Sequence, residues 1–207
     1  MDNNFKFERD NPNYDHEFAS YDERLNVHIS LLFIELRDIQ TAIYIFKIVD
    51  KEWKQRVHDK DVLEYSAVRT TLYESLVYRV VLGLNKIFAD DKEYSLLKAT
   101  NQVEQLFRKN KAILDIIQEI RYKLENSEMV RMIRVYRDKF FAHLDKKSVL
   151  SYVRIDPTSV MKHIDNKEIE EWLCLIRKLY LECFSKELSS ELVMPSKEDV
   201  VYTFFWR

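Results

Sequence analysis

The sequence predicts an all-α protein, and three observations carry that expectation. One glycine and three prolines among 207 residues leave almost nothing to punctuate strands or tight hairpins. Leu, Ile, Lys, Glu, Arg and Tyr dominate the remainder, a composition suited to helices. Apolar residues also recur at alternating steps of three and four over long segments, the period of a helix with one buried face. With 46% hydrophobic residues the chain has ample material for one core, so a single domain is expected.

Residues 1 to 20 read as a loose arm, because Pro12 and four asparagines interrupt any periodicity. A first long helix runs from Asp22 to about Lys51, with Ile29, Leu32, Leu36, Ile39, Ile43 and Phe46 along its seam. A second runs from about Val62 to Phe88, with Tyr65, Val68, Leu72, Leu76, Val80 and Ile87 on one side. Gly83 falls inside it at a cost of about 1 kcal/mol against alanine, which points to close contact with a neighbouring helix or to a kink. Shorter helices follow at about 95 to 108 and 111 to 125. Asn126 or Ser127 then caps "EMVRMIRVYRDKFFAH", whose apolar residues are Met129, Ile133, Tyr136, Phe140 and Phe141. "LDKKSVLSYVRIDPTS" is the longest break in the helical pattern and leaves room for a short extended piece. A last helix covers about 166 to 190, burying Ile169, Leu173, Ile176, Tyr180 and Phe184. The domain thus spans 21–190, and the aromatic tail 191–207, ending "VVYTFFWR", is expected to dock on it rather than stand exposed.

Composition also excludes function classes. A net charge of -2 and a pI near 6.2 rule out a polycation, so nucleic-acid contact would come from a local patch. The lone glycine leaves no phosphate loop and no dinucleotide-binding turn. Five histidines, at 16, 28, 58, 143 and 163, form no helix-spaced pair with one another or with a cysteine, so no metal site is expected. Cys174 and Cys183 stand nine apart on one helix, roughly 180° around it, so they neither bridge nor share a metal. Glu170 and Glu171, Asp90 and Asp91, His28, His58, His163, Lys111 and Arg121 read as structural or solvated residues. The polar N-terminus lacks an apolar leader, and no uncharged run reaches the ~18 residues of a membrane span, so a soluble cytoplasmic protein is expected.

What remains is "RDKFFAHLDKK", residues 137 to 147. Across 131 to 147 six cations (131, 134, 137, 139, 146 and 147) oppose only Asp138 and Asp145, a local charge of +4 in a chain of -2. Arg131, Arg134 and Arg137 recur at steps of three opposite the apolar residues of the same helix.

"RDKFFAH" resembles the signature of the HEPN superfamily, an arginine and a polar residue followed within four to six positions by a histidine. "AHLDKK" and the two long preceding helices look most like its abortive-infection branch, associated with phage defence. The general helical pattern of that superfamily covers about 22 to 190, while the specific part is about a dozen residues. "RDNPNYDH", Arg9 to His16, fits the bare spacing too, but it lies in a proline-broken arm. A related branch carries tyrosine two positions after the histidine; here that position is Asp145, so the tyrosine-regulated version is not implied.

The resemblance implies an antiparallel HEPN-like bundle of about five to six helices with two long N-terminal helices. In that family two subunits dimerise and their motif helices meet to form a metal-independent endoribonuclease. By this likeness Arg137 and His143 are the catalytic pair, Asp138 is a supporting residue, and Arg134, Lys139, Lys146 and Lys147 hold RNA. It implies no cofactor and no DNA specificity, an RNA substrate, a homodimer, and an antitoxin protein as a further partner. Histidine suits proton transfer near neutral pH, and arginine offers a planar fork of donors to a phosphorane. Six residues along an ideal helix set the two side chains roughly 120° apart, so either His143 leaves the regular helix or a second subunit completes the site. Two other readings stand beside it: a non-catalytic dimer of the same shape that binds RNA or a protein, and a structural bundle whose aromatic tail recruits one.

Overall fold

Serine, asparagine and aspartate stand at the points where this chain turns into helix. In the computed structural model, Ser20 and Glu23 exchange reciprocal hydrogen bonds, Glu23 N–H to Ser20 Oγ at 3.2 Å and Ser20 N–H to Glu23 Oε2 at 2.8 Å. This capping box opens α1, Tyr21–Arg56, one residue before the sequence pattern places the start. The residues described are 20–56, 62–88, 94–141, 157–188 and 194–205, with side chains described for 20–55, 71–88, 94–137, 159–188 and 194–203.

Among the described residues seven further helices follow: α2 (Val62–Phe88), α3 (Leu96–Leu106), α4 (Lys111–Asn126), α5 (Glu128–Phe141), α6 (Pro157–Lys162), α7 (Asn166–Phe184) and α8 (Lys197–Phe205). No strand occurs among the described residues. The eight helices exceed the expected five to six because α6 lies in the segment read as a break and α8 in the segment read as a tail. Both are short, below the length at which a periodic pattern becomes legible.

The 36-residue α1, about 54 Å long, is the mast of the bundle. Its predicted seam of Ile29, Leu32, Leu36, Ile39, Ile43 and Phe46 is buried throughout. It packs against α2, α7, α8 and α3. Tyr73 packs on Phe46 and donates to Asp50 Oδ1 at 3.0 Å, while Arg79 reaches Glu35 and Asp38. The pairing of later α2 residues with earlier α1 residues makes the two helices antiparallel. Gly83 marks their close approach: a Cβ there would stand 2.7 Å from Ile39 Cδ1 and 3.0 Å from Glu35 Oε1. Contact, not a kink, accounts for the glycine.

On its other side α2 packs against α5 and α6. The α4 helix lies on α7 and α3, with Arg121 bonded to Glu104 and Asn101. Arg121 therefore bridges two helices and is not the solvated single charge that the sequence pattern indicates. Trp172 is fully buried against Phe88, and Lys123 lies 5.2 Å over its ring. The α7 helix stops at Phe184, short of 190, where Ser185 adopts φ 52° and its N–H bonds Leu181 O. That left-handed conformation usually falls to glycine, which the chain does not provide there. The α8 helix lies along α1, with Val200 inside the core and Lys197 Nζ 2.8 Å from Glu52 Oε1.

Candidate active site

The cationic stretch belongs to α5, and its first turn is firmly held. Ser127 Oγ accepts from Val130 N–H at 3.0 Å and donates to Glu168 Oε1 on α7. The same Glu168 oxygen accepts from Trp172 Nε1 at 3.1 Å, and Lys123 pairs with Glu171 one turn further on. One carboxylate thus ties the start of α5 to the buried tryptophan of α7.

Met129, Val130, Ile133 and Tyr136 form the buried face of α5. At about 100° per residue, taking Arg131 as zero, Tyr136, Ile133 and Val130 fall near 140°, 200° and 260°. Arg134 falls near 300° and is exposed, whereas Arg137 falls near 240°, beside Val130, and is half-buried. The arginines at steps of three therefore do not form one solvated row. Arg131 is spent on Glu128, holding that carboxyl below and its own guanidinium above their ordinary ranges. Arg134 has no ion pair among the described residues. Arg137 emerges at the border between core and surface, half-buried.

The backbone of Asp138 and Lys139 continues α5, and their side chains lie outside the described ones. His143, Lys146 and Lys147 lie outside the described residues altogether, as does Arg9 to His16. Of the expected site, then, Arg134 and Arg137 come together on the C-terminal half of α5.

A residue that the sequence pattern passes over stands beside this helix. His163, exposed in the turn after α6, places its ring 6.0 Å from that of Tyr136 and lies within electrostatic reach of Glu128. Burial pushes the Tyr136 phenol up. Twenty-seven positions separate Tyr136 from His163, and only the docking of α6 on α2 brings them together, so spacing carries no trace of it.

Other groups have structural duties. His28 is buried, its Nδ1 3.3 Å from Gln102 Oε1, and burial lowers its pKa with a smaller contribution from Lys98. Cys174 and Cys183 are free, and burial pushes the Cys183 thiol up to about 12, far from a reactive thiolate. No cluster of three His, Cys, Asp or Glu residues suited to a metal occurs among the described residues. No helix among them is long and apolar enough to cross a membrane. A surface depression of about 750 Å³ at the α3–α4 turn is lined by residues 105 to 112 and receives nothing from α5.

The fold and site together define an all-helical bundle that carries a cationic helix end anchored through its other end. Comparison of the chain with protein-family models, curated proteins and solved structures finds no match.

Proposed function

We propose that the protein is a metal-independent endoribonuclease of the HEPN type, acting as a dimer in phage defence as a toxin or abortive-infection effector. The observation that supports this most is Arg137: a half-buried arginine in the C-terminal half of an anchored helix, one turn beyond the exposed Arg134, inside the stretch "RDKFFAH".

In this reading His143 takes the proton of a ribose 2′-OH, and the freed oxygen attacks the adjacent phosphorus. The bond to the 5′-oxygen breaks, that oxygen accepts a proton, and the products are a 2′,3′-cyclic phosphate and a 5′-OH. Arg137 supplies two parallel donors to the non-bridging oxygens as charge grows on them. Arg134, Lys139, Lys146 and Lys147 hold flanking phosphates, Asp138 orients a partner in the site, and an antitoxin protein is the natural restraint on such an activity.

The test uses the purified full-length chain on single-stranded RNA in EDTA. Cleavage to cyclic-phosphate ends is expected. It should fall by about 10²–10⁴ in His143→Ala and about 10²–10³ in Arg137→Ala, with Arg137→Lys rescuing little because a point charge lacks the fork. Equal cleavage in all variants sinks the proposal. RNA binding without cleavage would replace it by the non-catalytic module.

A further inference from the structure

Between α6 and α7 the chain makes a turn that is fixed from beneath and open above. Val160, Met161 and Ile164 are buried, His163 N–H donates to Val160 O at 3.0 Å, and Ile164 N–H donates to Met161 O at 3.3 Å. Lys162 and His163, between those anchors, are exposed. The imidazole of His163 meets the ring of Tyr136, with centroids 6.0 Å apart and planes at 47°, and Tyr136 itself is buried in α5. An aromatic ring thus stands in solvent on a held turn, backed by a second ring that belongs to the core.

Its place beside α5 follows from its neighbours. With Arg131 at zero, Glu128 falls at about 60° around the helix and Tyr136 at about 140°, so His163 lies on the side between them. From there the exposed surface of α5 runs through Val135 at about 40° and Arg131 to Arg134 at about 300°, and ends at the half-buried Arg137. His163 borders one edge of this strip and Arg137 the other. The helix is about 10 Å across, so the two edges are too far apart to serve one phosphate but close enough to serve neighbouring nucleotides.

Charge decides what such a strip attracts. The nearby carboxylates are committed: Glu128 to Arg131, Asp165 to the Lys167 N–H that opens α7, and Glu168 to Ser127 and Trp172. Arg134 and Lys162 have no ion pair among the described residues. Among the described residues of α5 and α6, Val135 is the one exposed large apolar side chain, too little surface for a protein partner. Cations around an exposed, supported ring suit a single-stranded nucleic acid, whose phosphates take the charge and whose bases stack on the ring.

We infer that His163 is a base-stacking subsite for single-stranded RNA, with Lys162 and Arg134 taking phosphates to either side. It rests on the RNA reading proposed above and extends it from the scissile phosphate to a neighbouring nucleotide. Binding and cleavage are read separately, so either can fail alone.

The probe is a fluorescent 2′-O-methyl oligoadenylate, which keeps bases and phosphates but lacks the attacking hydroxyl, titrated with the full-length chain. His163→Ala should weaken binding about 5- to 100-fold, the range for losing one base–aromatic stack. His163→Phe should restore it to within about threefold, since a flat ring is what the base covers. On the same backbone stripped of its bases, the parent and His163→Ala should bind alike. Lys162→Ala and Arg134→Ala should each lower the slope of log affinity against log salt by about 0.7, the change for one phosphate contact on a single strand, and His163→Ala should leave it unchanged. A parent protein that does not bind the probe overturns the inference. So does a His163→Ala variant that binds like the parent, a loss that His163→Phe does not repair, or an equal loss on the abasic backbone. Ordinary RNA in EDTA reports on the nuclease itself: this binding pattern without cleavage leaves the subsite standing and ends the nuclease reading, while cleavage with binding indifferent to His163 does the reverse.

Discussion

Single residues in this protein carry obligations that composition conceals. His28 is an apparently unremarkable polar position on α1, yet its ring is buried against Tyr94 with Nδ1 on Gln102 and Nε2 without a hydrogen-bond partner among the described residues. Burial lowers its pKa below the ordinary 6.5, so the unfolded chain takes up the proton before the folded one does. The contribution to stability is therefore complete above about pH 6.5. It is lost as pH falls below that value, by at most ~1.4 kcal/mol per pH unit, until the folded-state pKa is reached. Melting temperature should drop between pH 7.5 and 5.5, and His28→Leu should remove this part of the drop. A variant with an undiminished pH slope would place the sensitivity elsewhere. Gly83 shows the opposite case: its role was legible because a lone glycine inside a long helix has few explanations, and close approach to Ile39 is the one realised.

Caps fix where the elements begin. Ser95, Asn110, Ser127, Asp165 and Ser196 each accept a hydrogen bond from the first turn of the helix that follows. Ser127 has the largest consequence, since its hydroxyl also binds Glu168 and so connects α5 to α7. Ser127→Ala should cost about 1–2 kcal/mol, and Ser127→Asp should recover less than a simple cap exchange because its carboxylate would oppose Glu168. Urea denaturation of the two variants measures this, and equal stability of Ser127→Asp and the parent would deny the link to Glu168. The cap and the apolar face of α5 were both legible in its sequence. The unequal standing of Arg131, Arg134 and Arg137 was not, because the position of the core's border around a helix depends on the width of the neighbours that cover it.

At the scale of the molecule, α1 organises the bundle, and α8 returns along it with Val200 buried at 3% exposure. Placing a carboxylate there is worse than releasing the helix, given the several kcal/mol needed to bury an unpaired charge. Val200→Asp should therefore undock α8 rather than unfold the domain. Amide exchange across 197–205 should rise to that of an open segment, with loss of about 2 kcal/mol or more from global stability and an otherwise native pattern in α1. Protection of α8 equal to the parent's would contradict this. The proposed cleavage site also belongs to this scale, since it depends on which part of α5 the bundle leaves uncovered.

By itself the sequence determined the helical class, the two long helices, most of the buried seam and the cationic stretch around Arg137. These follow from residue type and from a period of 3.6, which are local properties. Only the tertiary structure decided that α6 and α8 are helices, that Arg121 bridges α3 and α4, that Arg137 sits at the edge of the core while Arg134 faces solvent, and that His163 reaches Tyr136. It likewise decided that α8 covers the later part of one face of α1. Each of these is set by which helix lies beside which, and contacts between residues far apart in the chain leave no periodic mark on the sequence that makes them.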